Sequence, residues 1–246
     1  MPPLNHAVLS ASSSHRWLHC PPSAQLEKRF PNRSSTATEE GTAAHALCEY
    51  KLQKAMKQPY SRPQSVYDCP EMEQHTTAYA EWVLRTLQAE KHAAPLLQME
   101  QRLDFSRWVP EGFGTGDCLI LTEEQLHIID FKYGIGVLVE AEYNTQMMLY
   151  ALGALELYDC LCDVKNVSMT IYQPRRDNIC TWTIPKSEPL TWAETKLKPK
   201  AELAAAGKGV FCSGDWCRFC RAKPVCPLKR SAPEDEFQPI TSAPLG

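Results

Sequence analysis

Short runs of alternating apolar and polar residues define the centre of the chain. Positions 118–122 (CLILT) and 126–131 (LHIIDF) carry apolar and β-branched side chains at strand spacing, with 123–125 as the turn between them. Pairing Thr122 with Leu126 across that turn puts Asp117 opposite Phe131, one residue from Asp130. A helix follows, on which Gln146 and Tyr150 stand four apart and share a face with Leu157. Upstream, 96–105 alternates as a strand with Glu100 and Arg102 on one face. Before it, 71–91 repeats apolar residues at helical spacing (Met72, Tyr79, Trp82, Val83, Leu87), and 41–56 turns Leu47, Tyr50 and Leu52 inward. Downstream, 164–173 and 178–184 read as a strand pair joined by a Pro-Arg-Arg-Asp-Asn turn. A helix over 191–206, interrupted by Pro199, ends at Gly207–Gly209. The serine run at 10–14 can cap a short helix that Pro21-Pro22 terminates. Residues 31–40, 58–70 and 107–113 read as loops. Trp108, in the last of these, either touches substrate or covers the core.

These elements predict one α/β domain over 1–230: a small mixed central sheet flanked by helices. Its core spans about 41–185, and 231–246 is a Pro-rich, acidic, disordered tail. The chain has 246 residues, long enough for one sizeable core. No apolar run approaches the roughly 20 residues that span a bilayer. The first residues lack a basic segment followed by an apolar one, so a cytoplasmic protein with no membrane partner is expected. Net charge is −3, which gives no global sign of nucleic-acid binding but leaves room for a local basic groove. Eleven cysteines without an export signal point to free thiols or metal ligands rather than disulfides.

Two constellations carry chemistry. Asp117 and Asp130 fall at one end of the predicted hairpin, and Lys132, two residues beyond Asp130, leaves the same face. A lone Asp-x-Lys on a strand is more often a solvated face, and Lys also guards sheet edges. A carboxylate pair with a lysine beside it, however, suits a divalent metal and a water activated on it. Glu100 is either a further carboxylate near the metals or, the favoured reading, an ion-pair partner. The second constellation is Cys217-x2-Cys220-x5-Cys226-Pro, whose spacing lets two thiolates of the knuckle reach one centre. Cys212 would complete a local knuckle that zinc would accept, whereas Cys20 would complete a clasp between the chain ends. Arg218, Arg221, Lys223, Lys229 and Arg230 give this segment the positive charge that the whole chain lacks. Arg175 and Arg176 sit on the turn between the last two strands, where they meet phosphate or are simply solvated.

The order Gly116-Asp117, twelve residues, Asp130-Phe131-Lys132 and then Gln146-x3-Tyr150 resembles the PD-(D/E)XK nuclease superfamily. The likeness is to its RecB-like branch, which includes the Cas4-like and AddB-type exonucleases. Gly41-Thr-x-x-His45 upstream of that core, and Ser13-x6-Cys20-Pro21-Pro22 near the start, resemble the iron–sulfur members of the branch. The resemblance implies a restriction-endonuclease-like core and metal ligation by His45, Asp117, Asp130 and the backbone carbonyl of Phe131. It makes Lys132 the catalytic lysine and places Gln146 and Tyr150 in the helix motif. Glu49, one turn after His45, is either part of that site or a surface partner. It further implies a [4Fe–4S] cluster on Cys20, Cys217, Cys220 and Cys226, with Zn²⁺ as the alternative, in a clasp of 10–30 and 207–230. The implied activity is a Mg²⁺- or Mn²⁺-dependent deoxyribonuclease, an exonuclease on single-stranded DNA or DNA with free ends. Arg218, Arg221 and Lys223 would bind that DNA. Its setting would be recombination, repair or phage DNA metabolism, with recombination or replication proteins as partners. The rival readings are a non-catalytic DNA-binding module, which intact Asp117, Asp130 and Lys132 argue against, and a zinc-knuckle nucleic-acid adaptor.

Overall fold

A computed structural model describes residues 7–32, 34–90 and 94–230, so the tail expected at 231–246 lies outside the described residues. Five strands form one sheet in the order β1 (Leu96–Asp104), β2 (Phe113–Leu121), β3 (Gln125–Phe131), β4 (Asn166–Gln173) and β5 (Asn178–Pro185). All neighbours are antiparallel except β3 and β4, which run parallel. A parallel neighbour needs a crossover, and the helix α5 (Thr145–Tyr158) supplies it. The fold class is therefore the expected one: α/β, a mixed sheet flanked by helices.

The helices cover both sheet faces. Leu119, Leu121, Leu126, Ile128, Val167 and Met169 pack against α5 and the helices of the chain ends. Cys118, Ile120, Ile129, Phe131 and Tyr172 pack against α3 (Thr36–Ala55) and α4 (Pro70–Ala89). Because neighbouring strand residues face opposite layers, β2 and β3 carry nearly continuous apolar runs.

Local chemistry corrects three expectations. The β2–β3 turn pairs Thr122 with Gln125, whose carbonyl accepts the Thr122 N–H at 2.9 Å, leaving only Glu123 and Glu124 between them. Leu121 therefore faces Leu126, and continuing the register sets Asp117 level with Asp130 rather than Phe131. The expected loop at 31–40 contributes the first turns of α3, because the Ser35 hydroxyl accepts the Thr38 N–H and Glu39 lies in the first turn. The late helix begins earlier than expected, as α6 (Ser187–Trp192). It passes through a π-type turn at Ala193–Leu197 into α7 (Lys198–Ala205). Pro199 in that stretch has no N–H to return along the helix.

The opening serines do not cap with their side chains. Ser10 instead meets Ser13 at 2.8 Å. Ser14, buried in α1 (Ser14–His19), meets Thr145 at the start of α5 at 2.7 Å. Trp108 is buried and donates to Glu194 at 2.8 Å, so it covers the core.

Candidate metal centre and cysteine clasp

The ends of β2 and β3 and the N-terminus of α5 converge on one cluster. Asn144 caps α5 by accepting the N–H groups of Gln146 and Met147, which fixes where the first turn places Gln146. Asp117 accepts the Phe131 N–H at 2.7 Å through Oδ2, and His45 Nδ1 lies 3.3 Å from its Oδ1. On the neighbouring strand, Lys132 Nζ stands 3.2 Å from Asp130 Oδ1 and 2.9 Å from Oδ2. It also donates to Gln146 Oε1 at 3.2 Å. Gln146 Nε2 in turn donates to Asp130 Oδ1 at 3.0 Å and to the Tyr150 hydroxyl at 3.2 Å. Asp117, Asp130, Lys132, Gln146, Tyr150 and His45 thus lie together in one polar site.

The electrostatics follow from burial and charge density. Burial raises the Asp130 carboxyl above the usual range, and Asp117 adds to this against the pull of Lys132. Burial would raise Asp117 too, but His45, Lys132 and the Phe131 N–H hold it below its ordinary value. Burial opposes the charge on His45, yet Asp117 beside it lifts the imidazole to about 9. Lys132 is likewise held charged by Asp130 and Asp117 despite burial. Asp130 Oδ2 is buried with the lysine charge beside it but with no aligned hydrogen-bond donor. Such an oxygen is one a cation can satisfy.

One residue given the lesser reading belongs to the centre. Glu100 brings a carboxylate oxygen to Asp117 and His45, and the three ligand atoms lie within 4.8 Å of one another. Its backbone is in the left-handed region at φ 47°, unusual for a non-glycine residue inside a strand. The β1–β2 ladder pairs Met99 with Cys118 and Gln101 with Gly116, and skips the level of Glu100 and Asp117. Glu100 is exposed as a residue, but its carboxyl end turns into the pocket, where desolvation, then Asp117, pushes it up to about 7. A small cavity bounded by His45, Glu49, Glu100, Asp117 and Phe131 has about 10 Å³, near the space of one water-sized sphere. Glu49 borders it while accepting the Tyr60 hydroxyl at 2.8 Å. An imidazole nitrogen with carboxylate oxygens at this separation fits a divalent cation.

Residues 10–30 and 207–230 meet at a second site. Cys20, Cys217, Cys220 and Cys226, with Cys212, border a single cavity of about 150 Å³. The Cys212 N–H points at Cys20 Sγ at 3.5 Å, and the Cys212 thiol turns outward toward the Ser213 carbonyl. Glu27, buried in α2 (Ser23–Glu27), accepts from Arg16 Nε and from the Arg221 N–H, each at 2.7 Å. Trp216 stacks on His19 with ring centroids 4.3 Å apart. Residues 10–30 and 207–230 are therefore joined by side-chain contacts, with the free thiols lining the cavity between them.

Residues 6–238 match the family model described as "Protein of unknown function (DUF2800)". The chain belongs to the DUF2800 family. A solved structure described as "Crystal structure of SSO0001" is 14% identical, with 84% of this chain and 94% of that one covered at a TM-score of 0.32. At that score the likeness says nothing of fold or function.

In this DUF2800 chain the basic residues expected to hold DNA are not equally free. Arg221 is engaged with Glu27 and donates to the Phe30 carbonyl at 3.4 Å, and Lys223 donates to the Arg218 carbonyl at 2.6 Å. Arg218 has its guanidinium 5.4 Å from the exposed Phe219 ring. The side chains of Lys229 and Arg230 lie outside the described residues. Arg175 is paired with Glu40 at 3.1 Å and Glu71 at 3.3 Å, and Arg176 donates to the Ile135 carbonyl at 3.4 Å. Among the described residues, no helix is long and apolar enough to cross a membrane.

Proposed function

We propose that this protein is a metal-dependent deoxyribonuclease of the PD-(D/E)XK type, acting as an exonuclease on single-stranded or end-containing DNA in the cytoplasm. The observation that carries the reading is the convergence of His45, Glu100 and Asp117 on one ion-sized space, with Asp130 and Lys132 directly beside it. His45, Asp117, Glu100 and Asp130 would hold Mg²⁺ or Mn²⁺, with the Phe131 carbonyl as a further donor. The ion would lower the pKa of a bound water and offset charge on the phosphodiester. Lys132, held charged by Asp130 and Asp117, orients that water or the scissile phosphate. Gln146 fixes both Lys132 and Asp130, and Tyr150 braces Gln146.

The cysteine cavity would hold a structural [4Fe–4S] cluster on Cys20, Cys217, Cys220 and Cys226. Zinc bonded at about 2.3 Å would draw four sulfurs to about 3.8 Å from one another. The four thiols line one cavity, for which Zn²⁺ is the alternative occupant. The Cys212 N–H is directed at Cys20 Sγ, which favours Cys20 as ligand and Cys212 as a backbone donor to it.

Purified protein incubated with end-labelled and circular DNA should digest the former, with Mg²⁺ or Mn²⁺ and not in EDTA. Asp117→Ala, Asp130→Ala and Lys132→Ala should each lose at least about 10²–10³ in rate, the size of a single electrostatic contribution at a reacting centre. Wild-type digestion by Asp130→Ala would refute the reading.

A further inference from the structure

We infer that a groove running from the metal centre toward the cysteine clasp is the track of a single nucleic-acid strand. Arg102, stacked on Phe113, is its first phosphate clamp. The inference rests on the nuclease reading for what happens at the end of the track, but the track itself stands on separate residues. On β1 and β2 the register pairs Arg102 with Thr115, so Arg102, Thr115 and Phe113 share the sheet face that continues from Glu100 and Asp117. The Arg102 guanidinium lies 3.8 Å from the centre of the Phe113 ring. A guanidinium held over an aromatic ring is pre-organised and keeps N–H donors free to grip a phosphate. Arg16, Arg175 and Arg221 are each paired with a carboxylate, whereas among the described residues Arg102 has no carboxylate partner within ion-pair distance.

The space around this pair is a groove of about 420 Å³ that begins at Glu100 and Tyr150, passes Arg102 and Phe113, and reaches Ser10 and Ser12. A second groove, of about 590 Å³, shares Ser10 and Ser12 and continues past Lys28 and Phe30 to Phe219. Phe219 is exposed, with the Arg218 guanidinium over its ring. Together the two grooves offer cations and hydroxyls for a backbone, and aromatic faces at intervals on which unpaired bases stack. A duplex keeps its bases stacked on one another and has no use for such faces, so a single strand is the fitting occupant.

Anisotropy of fluorescent oligothymidylate with the full-length protein in EDTA, across a salt series, reads binding without cleavage. Arg102→Gln should weaken binding at least about fivefold and flatten the log–log salt slope by about 0.7, the share of one phosphate on a single strand. Arg102→Lys should restore the slope but not the full affinity. Phe219→Ala should cost roughly tenfold, within the range of one base–aromatic stack. Wild-type affinity and slope in both Arg102→Gln and Phe219→Ala would overturn the track, as would tighter binding of a blunt duplex than of a single strand. Weakened binding in these variants by a protein that never cleaves would sink the nuclease reading and leave the track standing. Cleavage that depends on Asp117, with binding indifferent to Arg102, would do the reverse.

Discussion

Glu27→Gln should loosen the clasp by an amount the structure sets. Glu27 is 4% exposed and uses both oxygens: Oε2 accepts Arg16 Nε at 2.7 Å, and Oε1 accepts the Arg221 N–H at 2.7 Å, with Arg221 Nε at 3.8 Å. An amide keeps one acceptor but turns N–H donors toward a guanidinium or a backbone N–H that has nothing else to meet. A hydrogen bond to a charged group contributes about 1.5–3 kcal/mol, and breaking a buried pair by removing one partner costs about 3–5 kcal/mol. We take about 3 kcal/mol, since Arg16 retains some solvent. For a domain of this size each kcal/mol moves the melting temperature by about 2–4 °C, so a loss of roughly 6–12 °C is expected. The assay is thermal unfolding followed by circular dichroism, with thiol labelling of Cys220 in the native state as a local readout. Replacing Arg16 together with Glu27 by apolar residues should recover much of the loss, because no buried charge is then stranded. A melting temperature within about 1 °C of wild type, with Cys220 no more reactive, would show that the carboxylate does not hold the clasp.

Gly114→Ala should lower stability by about 1–3 kcal/mol and slow cleavage, because an added Cβ would sit 2.7 Å from Tyr150 Cε1 and push the ring off Gln146. Melting curves and initial rates test this, and an unchanged rate would remove Tyr150 from the site's support. Cys20→Ser, Cys217→Ser, Cys220→Ser and Cys226→Ser should each abolish visible absorbance of anaerobically purified protein and its bound iron, while Cys212→Ser keeps both. Loss in Cys212→Ser with retention in Cys20→Ser would reverse the assignment of the fourth ligand.

Much of the site was legible because its residues sit at fixed offsets within single elements. Asp130 and Lys132 share a strand face, and Gln146 and Tyr150 share a helix face, so periodicity alone groups them. The register of the β2–β3 hairpin was not legible to the residue, since Gln125 and Leu126 both make plausible partners for Thr122 and only the closing hydrogen bond distinguishes them. Glu100 was underrated for a related reason. Its role depends on a left-handed backbone turn inside β1, which nothing in Gln98–Arg102 announces, there being no glycine or asparagine. The early start of α3 was hidden by a polar stretch that reads as loop until Ser35 is recognised as its cap. The Glu27 bridge joins residues 194 positions apart, and no local pattern encodes such a pairing.

Glu100 also makes the metal-free protein sensitive to pH in a direction that can be fixed. Three carboxylates, Glu100, Asp117 and Asp130, share a pocket with Lys132 and His45, so negative charge is in excess even with His45 protonated, unless a carboxyl keeps its proton or a cation is bound. The left-handed backbone at Glu100 is itself worth about 1–3 kcal/mol of strain, which other contacts of the fold must offset. Desolvation, then the neighbouring Asp117, raises the Glu100 carboxyl from its ordinary 4.5 to about 7. Between those values the folded chain keeps a proton that the unfolded chain has already released. Stability without metal must therefore fall as pH rises through this window. Glu100→Gln has no proton to lose there, so in EDTA its melting temperature should decline less than that of wild type from about pH 5 to pH 8 and should lie above it at the upper end. Saturating Mn²⁺ should reverse the order at about pH 8, because only the carboxylate gives the ion a charged ligand, and binding to the folded state alone stabilises it. Parallel melting curves for the two proteins in EDTA, or an equal gain from Mn²⁺, would mean that the Glu100 carboxylate takes no part in the centre.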